Sequence, residues 1–231
     1  MSKLVLFDID GTLLLTAGAG RRAIVAALGE EVDDPRAFEG IRFDGKTDPQ
    51  IVAEMLEAAG QPESRESERV RRLCHRYLGL LALELDRPTT RTTLMPSVES
   101  LLDRLEARPG VVLGLLTGNL AVGAALKLRS GGIDPARFRV GAYGSDAAHR
   151  PMLPEIAARR AEPFFGRIPG GPEVVIIGDT PEDIHCGQGI SARAVGVATG
   201  SYSVSDLAAC APHAVFEDLS DTESVMDAIL R

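Results

Sequence analysis

The chain has 231 residues, of which 45% are hydrophobic and 25% are charged, and its formal net charge at pH 7 is −8. This composition is typical of a folded globular protein with a sizeable core, and the negative charge argues against binding to nucleic acid or to an anionic membrane. No segment reaches the roughly 18 apolar residues of a membrane span. We therefore expect no nucleic-acid or membrane partner. Any anionic ligand is expected to be small and bound by a local group of residues.

The three cysteines lie far apart, without the spacing of a zinc site or a disulfide framework, which favours a reducing compartment. Acidic residues at positions 8 and 10 interrupt the apolar stretch that a signal peptide needs. These two features predict a cytoplasmic location.

The first predicted strand, residues 4–7, leads directly into Asp8-Ile9-Asp10-Gly11-Thr12. Open α/β sheets bind ligands at the carboxyl ends of their strands, which is where this strand would place Asp8 and Asp10. Two neighbouring acids repel each other, unless a divalent cation binds one and the other holds a proton. The pair therefore indicates metal-assisted chemistry, or else an Asp-rich turn in which Gly11 supplies the bend.

From residue 16 to residue 90 no strand is predicted, but helical patterns cover residues 21–28, 49–59 and 63–84. This stretch is too long for a simple crossover between strands. We predict an α-helical cap domain of residues 16–90, inserted into a core of residues 1–15 and 91–231, with hinges where Gly, Thr and Pro cluster near residues 14–20 and 88–96.

A loop in the predicted cap carries Arg42 and Lys46, followed by Asp48 as the expected N-cap of a helix and Pro49 as its first residue. Arg42 and Lys46 are candidates to bind an anionic part of a substrate when the cap closes over the core. The alternative is a charged surface loop with no ligand.

The remainder of the chain alternates short apolar runs with helical patterns. This alternation predicts an α/β fold, a doubly wound parallel sheet (Rossmann-like) whose strands are covered on both faces. The predicted strands are residues 111–116, 138–143, 174–177, 194–198 and 214–216, and the predicted helices are residues 97–107, 120–130, 152–164, 182–190 and 221–230.

The strand of residues 111–116 ends in Thr117-Gly118-Asn119. A hydroxyl, a residue that lets the backbone approach, and an amide form a donor set suited to phosphoryl oxygens. Asn119 could instead cap the helix that begins near residue 120.

The strand of residues 174–177 is followed by Gly178-Asp179-Thr180-Pro181-Glu182-Asp183. Clustered carboxylates at a strand end suit Mg²⁺, which prefers oxygen ligands. A helix start, with Thr180 as N-cap and Pro181 in the first position, explains Asp183 without a metal but does not explain Asp179.

These three motifs, in this order, resemble those of the haloacid dehalogenase superfamily, in particular its phosphatase branches with an inserted helical cap, such as phosphoglycolate phosphatases. The resemblance implies that Asp8 is the nucleophile and Asp10 the acid/base that serves the leaving oxygen and then the attacking water. It implies that Mg²⁺ is held by Asp8, the Asp10 carbonyl and Asp179, with support from Asp183, and that the phosphoryl group is bound by Thr117, Gly118 and Asn119.

The family also has a basic residue, usually Lys, between the second and third motifs. None of the three lysines, Lys3, Lys46 and Lys127, is expected in that place, because Lys127 falls two turns into a helix. Arg150, which precedes Pro151 after the strand of residues 138–143, takes the role in this interpretation. The alternative for Arg150 is a solvated side chain at a helix start.

The expected activity is magnesium-dependent hydrolysis of a small phosphorylated metabolite through an aspartyl-phosphate, by a monomer or homodimer. A sugar phosphomutase that uses the same two aspartates is an alternative. A non-catalytic ligand-binding relative is a third, which the intact acid pair argues against.

Overall fold

The computed structural model describes residues 2–32 and 35–231 of the protein. Residue 1 of the predicted core and residues 33 and 34 of the predicted cap lie outside the described residues. The strands are β1 (Lys3–Phe7), β2 (Leu14–Leu15), β3 (Thr93–Leu94), β4 (Val111–Thr117), β5 (Val140–Tyr143), β6 (Val174–Gly178), β7 (Arg193–Val197) and β8 (Ala214–Phe216). The α-helices are α1 (Ala19–Leu28), α2 (Asp48–Ala58), α3 (Glu68–Leu85), α4 (Val98–Glu106), α5 (Ala121–Ser130), α6 (Leu153–Phe165), α7 (Pro181–Cys186), α8 (Val204–Ala209) and α9 (Thr222–Leu230).

Six strands form one parallel sheet in the order β5-β4-β1-β6-β7-β8. All five residues of β1 are buried, as the central position of this strand between β4 and β6 requires. Because the strands are parallel, the carboxyl ends of β1, β4 and β6 meet at one edge of the sheet. The three motifs predicted at strand ends therefore come together at this edge.

Alternate residues of β1 pack on opposite faces of the sheet. Val5 and Phe7 join a core cluster that includes residues of α4, α5 and α9, whereas Leu4 and Leu6 join a cluster with residues of α6 and α7. Helices thus cover both faces, and the predicted doubly wound α/β fold is confirmed. Within the described residues, no helix combines the length and apolar content needed to cross a bilayer.

The helices α1, α2 and α3 pack around a separate hydrophobic cluster. On α3 the buried apolar residues recur with the spacing of one helix face, at Val70, Leu73, Tyr77 and Leu81. The described part of residues 16–90 contains no strand, in agreement with the sequence pattern. The exact limits of a cap domain at residues 16 and 90 stay a prediction.

A short antiparallel pair, β2 with β3, was not foreseen from the sequence. It joins the chain where it leaves the core after β1 to the chain where it returns before α4. Two residues per strand are too few to show an alternating pattern, so no periodicity could reveal them.

The start of α2 differs from the sequence prediction, because Thr47 and not Asp48 is the N-cap. The hydroxyl of Thr47 accepts a hydrogen bond from the backbone N–H of Gln50 at 3.3 Å. The Asp48 carboxylate instead accepts a bond from the backbone N–H of Leu120 at 2.8 Å, so a partner distant in sequence determines its role.

The loop before α2 lies directly against the loop after β4. The backbone N–H of Asp48 donates to the carbonyl of Gly118 at 2.8 Å. A β-carbon on Gly118 would overlap the carbonyl oxygen of Lys46, and a β-carbon on Gly144 would overlap the carbonyl oxygen of Gly118. Three backbone segments therefore meet here without room for a side chain.

We predict that Gly118→Ala lowers the melting temperature, because the new methyl group forces the α2 loop away from the loop after β4. Gly79→Ala is a matched control, since Gly79 lies in the exposed middle of α3 with open space around it. This control should raise stability by about 0.5–1 kcal/mol through helix propensity. Thermal unfolding of both variants tests the packing, and equal stability of Gly118→Ala and wild type would contradict it.

Candidate active site

The acid pair after β1 has two different environments. Asp8 is buried, with its backbone N–H donating to the carbonyl of Ile177 on β6 at 2.9 Å. The Asp10 side chain is 42% exposed and faces a cavity of about 210 Å³ between the sheet edge and helices α1, α2 and α3. Both acids line the cavity, but Asp8 is buried in its wall whereas Asp10 is largely open to it.

The carboxylates of Asp8, Asp179 and Asp183 each offer an oxygen within 4.8 Å of the others, and all three residues are buried. Burial, together with the negative charges of Asp183 and Asp10, raises the pKa of Asp8 to about 6, although Arg150 and a hydrogen bond from Thr117 act in the opposite direction. Burial and the charges of Asp183 and Asp8 hold the pKa of Asp179 well above its usual range.

This donor set fits a divalent cation. Hard carboxylate oxygens from two strand ends surround one point, and they carry more negative charge than the buried arginine beside them neutralises. A cation bound there would relieve the repulsion that otherwise favours protonated carboxyl groups.

The Asp179 carboxylate lies directly against the backbone of two neighbouring loops. Its Oδ1 accepts a hydrogen bond from the Thr12 hydroxyl at 3.0 Å. A β-carbon on either Gly11 or Gly200 would overlap the Asp179 carboxylate. Gly11 is therefore needed for more than the bend of the first motif, since it also leaves space for the acid of the third.

Arg150 lies where the sequence predicts a cation, and it is 4% exposed. Its Nη2 lies 3.3 Å from Oδ2 of Asp8 and also donates to Oδ1 of Asp183. Its Nη1 donates to the carbonyl of Gly45, in the loop before α2, at 3.4 Å. The alternative of a solvated arginine at a helix start is wrong, because this guanidinium is buried among the acids.

Asp183 makes the predicted helix-start contact and an ion pair with Arg150 that was not predicted, while its support of a metal stays a prediction. With Thr180 it forms a capping box at the start of α7, in which its Oδ2 accepts bonds from the Thr180 N–H at 3.1 Å and hydroxyl at 2.6 Å. Its Oδ1 accepts a bond from Arg150. The helix cap thus fixes a carboxylate that in turn fixes the arginine.

The side chains of Thr117 and Asn119 face the same cavity. The amide of Asn119 donates to Oδ2 of Asp10 at 2.7 Å and to the Thr117 hydroxyl at 2.8 Å. Asn119 does not cap α5, where Leu120 is the N-cap and no side chain provides a capping bond. Its alternative role as a helix cap is therefore wrong.

Lys127, set aside in the sequence analysis, lies at the site. Its Nζ is 2.8 Å from Oδ1 and 2.7 Å from Oδ2 of Asp10, and its side chain is 6% exposed. Its position two turns into a helix suggested that Lys127 lies away from the site, but the period of about 3.6 residues of that helix places it on the buried face. Lys127 falls on the buried face of α5, together with Ala124 and Leu128.

The cations of the cap are placed differently from one another. Lys46 lines the cavity, with its Nζ 2.5 Å from Oε2 of Glu54. Arg42 pairs with Asp44 at 3.4 Å and stacks over the Tyr202 ring at 5.0 Å, and it does not line the cavity that the described residues form. Its contact with a substrate stays a prediction.

Arg21 lines the cavity but was not singled out from the sequence. It donates to the backbone carbonyls of Ile41 at 2.9 Å and Phe38 at 3.2 Å, and it lies 4.5 Å over the Phe43 ring. Among the described basic residues that line the cavity, Arg21 is the one without a carboxylate partner. This leaves its charge available to an anion in the cavity.

Comparison with known proteins adds family evidence. A family model described as HAD-hydrolase-like matches residues 147–222. None of the curated proteins compared with the chain is significantly similar to it.

Several solved structures share the fold over nearly the whole chain. A hydrolase from Pseudomonas syringae is 19% identical with a TM-score of 0.75, covering 100% of both chains. A predicted phosphoglycolate phosphatase from Haemophilus somnus 129PT is 20% identical with a TM-score of 0.67, covering 97% of this chain and 98% of the other. CbbY from Rhodobacter sphaeroides in complex with phosphate is 19% identical with a TM-score of 0.73, covering 96% of each chain, and a mutant of CbbY was solved with xylulose-(1,5)bisphosphate.

The fold, the strand-end acids and the matched segment agree. The predicted resemblance to the haloacid dehalogenase superfamily is confirmed: residues 147–222 match the HAD-hydrolase-like family model, and the whole chain shares its fold with the solved structures above.

The raised pKa values predict how a bound cation affects stability. Because folding raises the pKa of Asp179, and that of Asp8 to about 6, the native state holds protons that the unfolded state releases above about pH 4. These groups therefore stabilise the native state at low pH, and this stabilisation is lost as the pH rises through about 6. We expect metal-free wild type to become progressively less stable than Asp179→Asn over this range.

A divalent cation binds the deprotonated carboxylates, so it should stabilise wild type more at pH 7.5 than at pH 5 and should leave Asp179→Asn nearly unchanged. Melting temperatures of both proteins with EDTA and with MgCl₂ across this pH range provide the measurement. A pH-independent difference between the two proteins, with no effect of the cation, would contradict a metal site at Asp179.

Proposed function

We propose that the protein hydrolyses a small phosphomonoester, with Mg²⁺ as its cofactor and an aspartyl-phosphate as the intermediate. The observation that carries the proposal is the convergence of a buried Asp8, a cavity-facing Asp10 and the acidic cluster with Asp179 at one sheet edge. Asp10 favours phosphate ester chemistry, because an acid at this place can serve the leaving oxygen.

In the proposed reaction, an Asp8 carboxylate oxygen attacks phosphorus while Asp10 gives a proton to the leaving oxygen. Asp10 then takes a proton from the water that hydrolyses the aspartyl-phosphate. Arg150 offsets charge beside the nucleophile, and Thr117, Gly118 and Asn119 bind or orient the phosphoryl group. When bound by Asp8, the Asp10 carbonyl and Asp179, with support from Asp183, Mg²⁺ supplies charge neutralisation for the transferring phosphoryl group.

The cavity favours a small substrate. Its volume of about 210 Å³ has room for a compact metabolite and little more. Arg21 and Lys46 in its wall favour a second anionic group on the substrate, which agrees with the sugar bisphosphate that mutant CbbY binds. The cytoplasmic location and a monomeric or homodimeric state remain part of the proposal.

The different roles of Asp8 and Asp10 predict different kinetic defects when each is replaced by Asn. Asp8→Asn removes the nucleophile, so phosphate release from a panel of metabolite esters should fall to background and no phosphoenzyme should form. Asp10→Asn retains the nucleophile and should still give a burst near one equivalent from p-nitrophenyl phosphate, then stall.

On a poor leaving group, Asp10→Asn should lose about 10²- to 10⁴-fold in rate, which is typical of lost acid/base help. Steady-state and rapid-quench assays with MgCl₂ measure both effects. Substantial turnover by Asp8→Asn, or wild-type rates of Asp10→Asn on an alkyl phosphate, would show that the mechanism is wrong. The same assays exclude hydrolysis as the main reaction if wild type converts a hexose 1-phosphate into its 6-phosphate faster than it releases phosphate.

A second prediction concerns substrate choice. Arg21→Met should raise KM for esters with a second anionic group by about 10- to 100-fold, the value of a lost charged hydrogen bond, and should leave KM for singly anionic esters nearly unchanged. Arg42→Met should have a smaller effect, because Arg42 does not line the cavity and its charge is paired with Asp44. An equal effect of Arg21→Met on both substrate types would contradict a role in selection.

A further inference from the structure

One buried charge beside the cavity has no part in the proposed reaction. Lys127 extends from α5 with its side chain 6% exposed, and its ammonium group contacts both carboxylate oxygens of Asp10, at 2.8 and 2.7 Å. It lies beside the acid/base, whereas Arg150 lies beside the nucleophile.

The ammonium group of Lys127 is surrounded by residues of the helices α1, α2 and α3. A β-carbon on Gly20 of α1 would lie 3.4 Å from Nζ of Lys127 and 3.7 Å from the Tyr77 hydroxyl of α3, so α1 and α3 both pass close to the ammonium group. The Asp48 carboxylate of α2, itself 6% exposed, interacts electrostatically with Lys127. An enclosed ammonium group is costly unless it is paired, so this environment strengthens the bond to Asp10.

Asp10 needs such a partner to keep one orientation. Its side chain is 42% exposed to the cavity, which leaves little packing to hold it. Lys127 binds both of its oxygens, and Asn119 donates to Oδ2 at 2.7 Å. Charge-assisted bonds of this length are strong and directional enough to select one rotamer.

We propose that Lys127 is a positioning residue, which holds the Asp10 carboxylate in the orientation from which it exchanges protons with the leaving oxygen and with water. The proposal rests on the proposed function in that Asp10 is the acid/base. Lys127 acts through Asp10 and not on the substrate, so its loss should change the rate more than the binding of substrate.

The kinetic test uses Lys127→Met, which keeps the buried chain length and removes the charge. We expect kcat on an alkyl phosphate to fall about 10²-fold, with KM within about threefold of wild type. The loss on p-nitrophenyl phosphate, which needs little help from an acid, should be clearly smaller. Arg129→Met is the matched control, because it removes the same charge from an exposed position of α5.

A double-mutant comparison separates positioning from other roles. In the Asp10→Asn background, adding Lys127→Met should slow the reaction by no more than about threefold, because both substitutions act through the same carboxylate. Fully multiplicative losses, an equal loss on both substrates, or a higher KM with unchanged kcat would overturn the proposal. If Lys127→Met alone is unstable, the double variant should still fold, because it removes both charges of the pair and leaves neither unpaired, and thermal unfolding measures this.

A crystal structure gives a readout that does not depend on activity. In Lys127→Met the Asp10 side chain should occupy more than one rotamer or turn away from its wild-type position, whereas it should stay in place in Arg129→Met. An unchanged Asp10 in Lys127→Met would overturn positioning even in an active enzyme. Failure of wild type to release phosphate from any ester would instead count against the proposed function and leave the structural result to be judged separately.

Discussion

Repulsion among three buried carboxylates is the constraint on which the rest of the site depends. Asp8, Asp179 and Asp183 lie within 4.8 Å of one another at a place where water screens little of their charge. Arg150 contacts Asp8 and Asp183, and one guanidinium cannot neutralise three ionised acids. The fold therefore favours further positive charge at the meeting point of β1 and β6, and this is the electrostatic basis of the proposed cation site.

Each acid of the pair after β1 lies beside a different cation. Arg150 lies beside the enclosed Asp8, and Lys127 lies beside the cavity-facing Asp10. Acids only two residues apart therefore differ in burial and in charged partner, although both line the cavity. Such separation of environments is how one active site obtains different chemistry from identical side chains.

The sequence predicted most of the framework, because strand runs and strand-end motifs depend on local pattern and on the geometry of parallel sheets. What it missed depends on contacts between distant segments. Thr47 caps α2 while the Asp48 carboxylate binds the backbone of Leu120, and Lys127 reaches Asp10 because its side of α5 is the buried one. The pairing of Arg42 with Asp44 likewise follows from how its loop folds.

The crowded backbones at Gly118 and Gly144 have a consequence for how this fold can change its substrate. Main-chain atoms of the α2 loop and of the loop after β4 are in contact there, so removing side-chain atoms from the cavity wall would not change the distance between these loops. Such truncations would widen the cavity only parallel to the sheet edge. A larger substrate would require a different path of the chain through residues 45–48, which insertions or deletions in that loop can provide.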